Sequence, residues 1–213
     1  MRHAAILFCL PLLAAMAASC AGDRWSEEWE ARYESIQPVE RVIDLMEIVP
    51  GMAVGEIGAG NGRLAVRVAA RVGPSGTVYA NDIDPRALRF MRRRVERERI
   101  DNLIVVRGGE VEPRFPVGGL DLVYMINTYD HLSDPVGLLR NTAHYLRPNG
   151  RLVIFAYDPG KLKEHRGHAV AEEVVVAQAE RAGYVLLGTD RSLVYDNVYV
   201  FRPAGSRVGP RAG

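Results

Sequence analysis

The chain has 213 residues, 48% of them hydrophobic and 25% charged, which suits one globular domain with a sizeable core and leaves no room for two. Lysine and arginine number 27 against 26 acidic residues, a formal net charge of +1, so no overall field draws the protein to nucleic acid or an acidic surface. The cysteines are Cys9 and Cys20 alone, both ahead of the folded part, which excludes a disulfide scaffold, a CxxC motif or a thiolate zinc site within it.

Residues 1–20 open with Arg2 and His3, run apolar from Ala4 to Ala18, and end in small residues before Cys20. Fifteen apolar residues cannot cross a hydrocarbon core that needs about 20, so this reads as a signal peptide rather than a membrane span. "AASC" resembles the lipobox of bacterial lipoproteins, with Ala17 where leucine is usual. The resemblance implies lipidation of Cys20 and a place at the cell envelope, with membrane contact only through that anchor. The alternative is a start at Met16 and a cytoplasmic protein. Residues 21–37 read as a polar linker, 38–203 as the domain, and 204–213 as a disordered tail with nothing to bury.

From Pro38 a helix is expected, with Val39, Val42, Ile43, Met46 and Val49 on one side. "PGMAVGEIG" gives a turn and a short strand, and "NGRLAVRVAARVG" a helix with Leu64, Val68 and Val72 at four-residue spacing, stopped by Gly73. A strand "GTVYANDID", a helix opened by Pro85 and a strand "NLIVVRGG" follow. The helix from Arg86 to Ile100 is rich in arginine, but Glu96 and Glu98 interrupt it and Leu88, Met91, Val95 and Ile100 form an apolar stripe; this is a solvated helix face, not a nucleic-acid patch. Next come a strand "LDLVYMIN", a helix over Pro135 to Leu146, a strand "GRLVIFAYD" and a helix ending at Gly183. Two strands then close the domain around a turn at Asp196–Asn197. Five strand-helix alternations predict an α/β, Rossmann-like, doubly wound sheet with helices on both faces and the last two strands antiparallel. Ligands of such sheets sit outside the carboxyl ends of the strands at the switch point.

"GEIGAGNGRLA", Gly55 to Ala65, falls there. Gly58, Gly60 and Gly62 permit positive φ and keep side chains away from a ligand, and the following helix points its N–H groups into the same space. A nicotinamide fingerprint is G-x-G-x-x-G; here the spacing is G-x-G-x-G, with Arg63 at the place of the third glycine, which disfavours an NAD-dependent oxidoreductase. "EIGAGNG" resembles the first motif of class I S-adenosylmethionine-dependent methyltransferases. "VYANDIDP", "RGGEVEPRFPVGGLDLVYMINTYDHLSDP" and "LRPNGRLVIF" resemble the later motifs in order, over about Val39 to Pro203.

The resemblance implies a seven-stranded sheet of order 3-2-1-4-5-7-6 with strand 7 antiparallel, and S-adenosyl-L-methionine as cofactor. It implies that Glu56 and the loop of Gly58, Ala59, Gly60 and Gly62 hold the methionine end. Asp82, or Asp84 as the alternative, would take both ribose hydroxyls, since a carboxylate accepts two O–H bonds. Ile83 would pack on the adenine, Glu110 would stand near its amino group or be a solvated loop acid, and Asn127 at the end of the fourth strand would adjoin the cofactor. Asn149, where the family has glycine, is expected to take the left-handed backbone.

Methyl transfer from a sulfonium is an in-line displacement that needs alignment and water exclusion rather than a covalent residue. Similar small bacterial enzymes, relatives of the ubiquinone-biosynthesis type, often carry "NTYHH" where this chain has "NTYDH", with Asp130 in place of the first histidine. His131 is either a base for the acceptor or a structural histidine, and Tyr129 either packs over the cofactor or lines the acceptor pocket. Glu164, His165 and His168 could suggest a metal site, but they sit in a polar loop without a third spaced ligand, so no metal is expected, and "KEHRGH" reads as a lid or a plain surface loop. The acceptor is expected to be a small molecule. The alternative is a catalytically silent, lipid-anchored ligand-binding protein, because fold does not guarantee activity.

Overall fold

The structure is a computed structural model that describes residues 27–162 and 168–205. The export segment, Glu164, His165 and residues 206–213 of the tail lie outside the described residues. No helix among the described residues is long and apolar enough to cross a membrane.

The elements follow in the order α1 (Glu27–Ile36), α2 (Val39–Leu45), β1 (Ala53–Ile57), α3 (Arg63–Val72), β2 (Thr77–Asp82), α4 (Pro85–Glu98) and β3 (Leu103–Arg107). Then come β4 (Leu120–Ile126), α5 (Pro135–Thr142), β5 (Leu146–Tyr157), α6 (Glu172–Arg181), β6 (Tyr184–Asp190) and β7 (Asp196–Pro203). They build one seven-stranded sheet of order β3-β2-β1-β4-β5-β7-β6, with β7 antiparallel to both neighbours and the other pairs parallel. This is the expected fold.

Because side chains alternate across a strand, the sheet feeds two cores. Val54, Ala80, Leu122, Tyr124 and Phe155 pack beneath α2, α3 and α4 with Ile43, Val68 and Met91. Val123, Met125, Ile154, Tyr199 and Phe201 pack on the other face against Leu138 and Leu139 of α5 and Val175 and Ala179 of α6. Leu152 to Phe155 are all fully buried, as a strand covered on both faces requires. The stripe of Leu64, Val68 and Val72 seats α3, and Gly73 ends it at φ 67°.

Four expectations are corrected. Within the stretch read as a linker, Glu27–Ile36 form α1, whose Tyr33 and Ile36 border the ligand cleft and join neither core cluster. The next helix stops at Leu45 and leaves Val49 56% exposed. Asp196 and Asn197 are not a turn: both are buried inside β7, and Asp196 accepts from the Gln37 side chain at 2.9 Å. Asn149 lies within β5 without positive φ. The close approach there belongs to Gly150, where a Cβ would come within 2.7 Å of the Leu120 carbonyl.

Candidate functional site

The strand order reverses between β1 and β4, and a cleft of about 820 Å³ opens at their carboxyl ends. Its floor is the loop from β1 to α3. Gly58, Gly60 and Gly62 have φ of 74°, 56° and 77°, the left-handed region that disfavours any side chain. At Gly58 a Cβ would lie 2.4 Å from Thr128 Oγ1, whereas at Gly60 it would meet nothing and would project into open space. Backbone N–H groups tie the loop to β2: Ala59 donates to the Asn81 carbonyl at 2.8 Å and Gly60 to Asp82 Oδ2 at 2.8 Å.

Asp82 ends β2 and is held by that bond and by one from the Asp84 N–H to Oδ1 at 2.8 Å. Asp84 instead caps α4 by accepting from the Arg86 N–H at 2.8 Å. The two acids are therefore distinguished by work already done: Asp82 is coupled to the glycine loop, and Asp84 to a helix end. Ile83 between them is 58% exposed, and its side chain borders the cleft with the exposed Glu110. A large aliphatic group left this bare in a cleft offers a flat ligand apolar surface.

Glu56 sits at the bottom, 2% exposed, where its Oε2 accepts from Tyr124 Oη at 2.7 Å across the β1–β4 register. Burial pushes its pKa up from 4.5 to about 7, against the Tyr124 bond and the Arg63 charge, which lower it; Asp82 adds to the rise. Arg63, the first residue of α3, is itself buried, with one guanidinium nitrogen donating to Gln37 Oε1 at 3.3 Å and Tyr33 5.6 Å beneath its charge. Burial lowers its pKa, opposed by Glu34, Glu56 and Glu30. Among the described residues its Nη1 has no hydrogen-bond partner, and the side chain lines the cleft. A buried cation whose Nη1 makes no hydrogen bond, and is met by the half-exposed Glu34 carboxylate at 3.9 Å, fits a ligand carboxylate beside a glycine loop.

Gln37 joins the two halves. It is fully buried, donates to Asn127 Oδ1 and Asp196 Oδ2 at 2.9 Å each, and accepts from Asn127 Nδ2 at 3.1 Å. Asn127 follows β4 at φ 52°. Burial raises the Asp196 pKa to about 6, against the Gln37 bond and the Lys161 and Arg63 charges. Helix α1 supplies one wall through Tyr33 and Ile36, and Glu30 fastens it by accepting from Asn61 Nδ2 at 2.8 Å and Arg94 Nη1 at 2.5 Å.

The far end of the cleft is bordered by Thr128, Asp130, His131, Tyr157 and His168. Asp130 Oδ2 lies 2.8 Å from His168 Nδ1 and 3.5 Å from His131 Nε2. Tyr129 does not reach the cleft lining. It is buried in the core with Oη donating to Gln178 of α6 at 2.7 Å, because the short 3-10 turn over 129–131 rotates its side chain away from those of Asp130 and His131, which border the cleft. Sequence reasoning missed Arg63, Gln37, Tyr33 and Thr128. Arg63 was visible only as a departure from a glycine pattern, Thr128 only as an unremarked member of "NTYDH", and Gln37 and Tyr33 carry no motif.

A doubly wound sheet of this order, with a glycine turn, a buried acid and a strand-end aspartate at its switch point, is the fold of the solved S-adenosylmethionine-dependent methyltransferases to which the chain is similar. Residues 56–152 match the protein family described as a methyltransferase domain. Nocamycin O-methyltransferase of Saccharothrix syringae is 31% identical over 120 residues, covering 56% of this chain and 43% of that one. Protein-L-isoaspartate O-methyltransferase of Methanothrix thermoacetophila is 31% identical over 116 residues, covering 54% and 52%. The chain thus spans about half the length of the curated relatives it matches. Among solved structures, a SAM-dependent methyltransferase from Aquifex aeolicus superposes with a TM-score of 0.73 at 21% identity, covering 79% of this chain and 91% of that one. These matches support methyl transfer and give no support to the nicotinamide or silent-binder alternatives.

Proposed function

We propose that the chain moves the sulfonium methyl of S-adenosylmethionine to an oxygen of a small-molecule acceptor. The observation that carries this reading is the convergence of Glu56, the Gly58–Gly62 loop and Asp82 on one cleft at the switch point. In it, ionised Glu56 and the loop hold the methionine end, and Nη1 of Arg63, which has no hydrogen-bond partner among the described residues and stands 3.9 Å from Glu34, takes the methionine carboxylate. Asp82 accepts from the ribose hydroxyls, Ile83 packs on the adenine, Glu110 stands by its amino group, and Asn127 adjoins the methionine end. The acceptor lies toward Asp130, His131 and His168, within reach of its proton. As the acceptor oxygen attacks, the methyl–sulfur bond breaks and its electron pair stays on sulfur, leaving a neutral thioether. Alignment and exclusion of water are the enzyme's contribution.

An oxygen acceptor is supported by two of the curated relatives, which are named O-methyltransferases. The likeness of "NTYDH" to the quinone-type enzymes favours a ring hydroxyl. Calorimetric titration of the purified chain with S-adenosylmethionine, S-adenosylhomocysteine and NAD tests the cofactor: the first two bind and NAD does not. Affinity for NAD alone would overturn the reading. Methyl-labelled cofactor incubated with soluble and membrane extracts then identifies the fraction that holds the acceptor. We further propose that Cys20 is lipidated and holds the domain at the envelope. Palmitate should label the wild type and not Cys20→Ala; a wild type without label favours the start at Met16.

A further inference from the structure

Asp130, His131 and His168 offer one ligand atom each, and these atoms all lie within 4.8 Å of one another. Asp130 and His131 come from the turn after β4, and His168 comes from 38 residues further on, ahead of α6. The sequence pairs His168 with Glu164 and His165; the fold pairs it with Asp130 and His131 instead. The imidazoles of His131 and His168 stand 5.3 Å apart between ring centres and nearly edge to face, so the rings are not stacked. The Asp130 side chain is 10% exposed, whereas those of His131 and His168 are 62% and 55% exposed. A carboxylate at the base with two imidazoles at the rim leaves the outer side open to the cleft, which all three residues line.

We propose that these three residues bind a divalent transition-metal ion of the zinc, cobalt or iron kind. Nitrogen and carboxylate donors hold zinc at about 2.0–2.2 Å, so two ligands of one ion stand no more than about 4 Å apart. The 3.5 Å separation already suits one tetrahedral ion, the 2.8 Å His168–Asp130 hydrogen bond must open by about half an ångström to admit it, and the third pair, within 4.8 Å, must close by under about 1 Å, which two exposed imidazoles reach by rotation about χ2. Two imidazoles and one carboxylate suit a borderline ion; magnesium and calcium prefer all-oxygen sets and are disfavoured. Three protein ligands leave a fourth position for a water or an acceptor oxygen.

Resting on the methyl-transfer reading, the ion's role follows from that position. An acceptor hydroxyl bound to it loses its proton to water at neutral pH, as metal-bound water does, and the resulting oxyanion attacks the sulfonium methyl. Neither histidine then has to act as the base. Asp130, at the position where similar enzymes carry a histidine, supplies the charge that a set of neutral imidazoles lacks.

The test uses the full-length chain stripped with EDTA and titrated with Zn²⁺ and with Co²⁺, following heat and the visible d–d absorption of bound cobalt. We expect one equivalent bound, with affinity falling at least about 10- to 100-fold in Asp130→Asn, His131→Ala and His168→Ala and unchanged in the distant His144→Ala. S-adenosylhomocysteine titrated into the same variants should bind as it does to the wild type, which separates a failed metal site from a failed cofactor site or a misfolded variant. Absence of saturable binding in the wild type overturns the proposal. So does a stoichiometric site that survives all three substitutions, which would put the ion on the thiols or on other histidines.

Discussion

Glu56 is a buried carboxyl that costs stability when ionised and, in the proposed function, holds the cofactor's methionine end, so Glu56→Gln should move stability and affinity in opposite directions. The unfolded carboxyl loses its proton near 4.5 and the folded one near 7, so the native state holds an extra proton between those values. Stability therefore falls as pH rises through that window, and above it the ionised, buried carboxylate costs about 3 kcal/mol. Glutamine has the same shape and never ionises, and its carbonyl still accepts from Tyr124. Relative to wild type, Glu56→Gln should be more stable by under about 1 kcal/mol at pH 5 and by about 3 kcal/mol at pH 8, the latter roughly 6–12 °C in Tm. Thermal melts of both proteins across pH 5 to 8 read this directly. Over the same range, wild-type affinity for S-adenosylmethionine should drop about tenfold for each pH unit below 7, because binding requires the ionised form. A stability difference that stays flat with pH would mean the carboxyl titrates as if exposed, and the reasoning about its desolvation would be wrong.

Asp82→Ala should weaken S-adenosylmethionine binding more than 100-fold, the loss of two charge-assisted bonds at about 1.5–3 kcal/mol each, while Asp84→Ala keeps affinity and costs about 1 kcal/mol of stability through its lost cap; calorimetry and melts together decide which acid meets the ribose. Gly58→Ala should cost about 2–4 kcal/mol, part from positive φ and part from the 2.4 Å clash with Thr128, and Gly58→Ala/Thr128→Ala should recover only the clash. Denaturant midpoints that match for the single and double variants would remove Thr128 from the explanation. Glu30→Ala, which releases α1 from Asn61 and Arg94, should weaken cofactor binding several-fold and leave the Tm nearly unchanged, since the helix adds little to either core.

The sheet was legible because its strands are apolar throughout and its helices striped, and both signals come from burial alone. The glycine loop and Asp82 were legible because positive φ and a strand-end acid leave residue-type signatures. Helix α1 carries Trp29, Tyr33 and Ile36 at helical spacing among charged residues, a stripe too sparse beside its acids to stand out from a polar linker. Asp196 and Asn197 have turn-forming chemistry, yet here the acid is buried as an acceptor for Gln37, a tertiary demand that outweighs local preference. Tyr129 and His168 depend on the direction of side chains around one short turn and on which distant segments meet, neither of which spacing encodes.

Helix α1 also has a mechanical consequence. Its Tyr33 and Ile36 form a bank of the cleft, and Glu30 bolts it to the start of α3 and the middle of α4. Only residues 21–26 separate it from Cys20, a leash of at most about 21 Å when fully drawn out. If a lipid sits on that cysteine, tension on the leash pulls directly on the cleft's own bank, and the cofactor's doorway opens within a few nanometres of the bilayer surface.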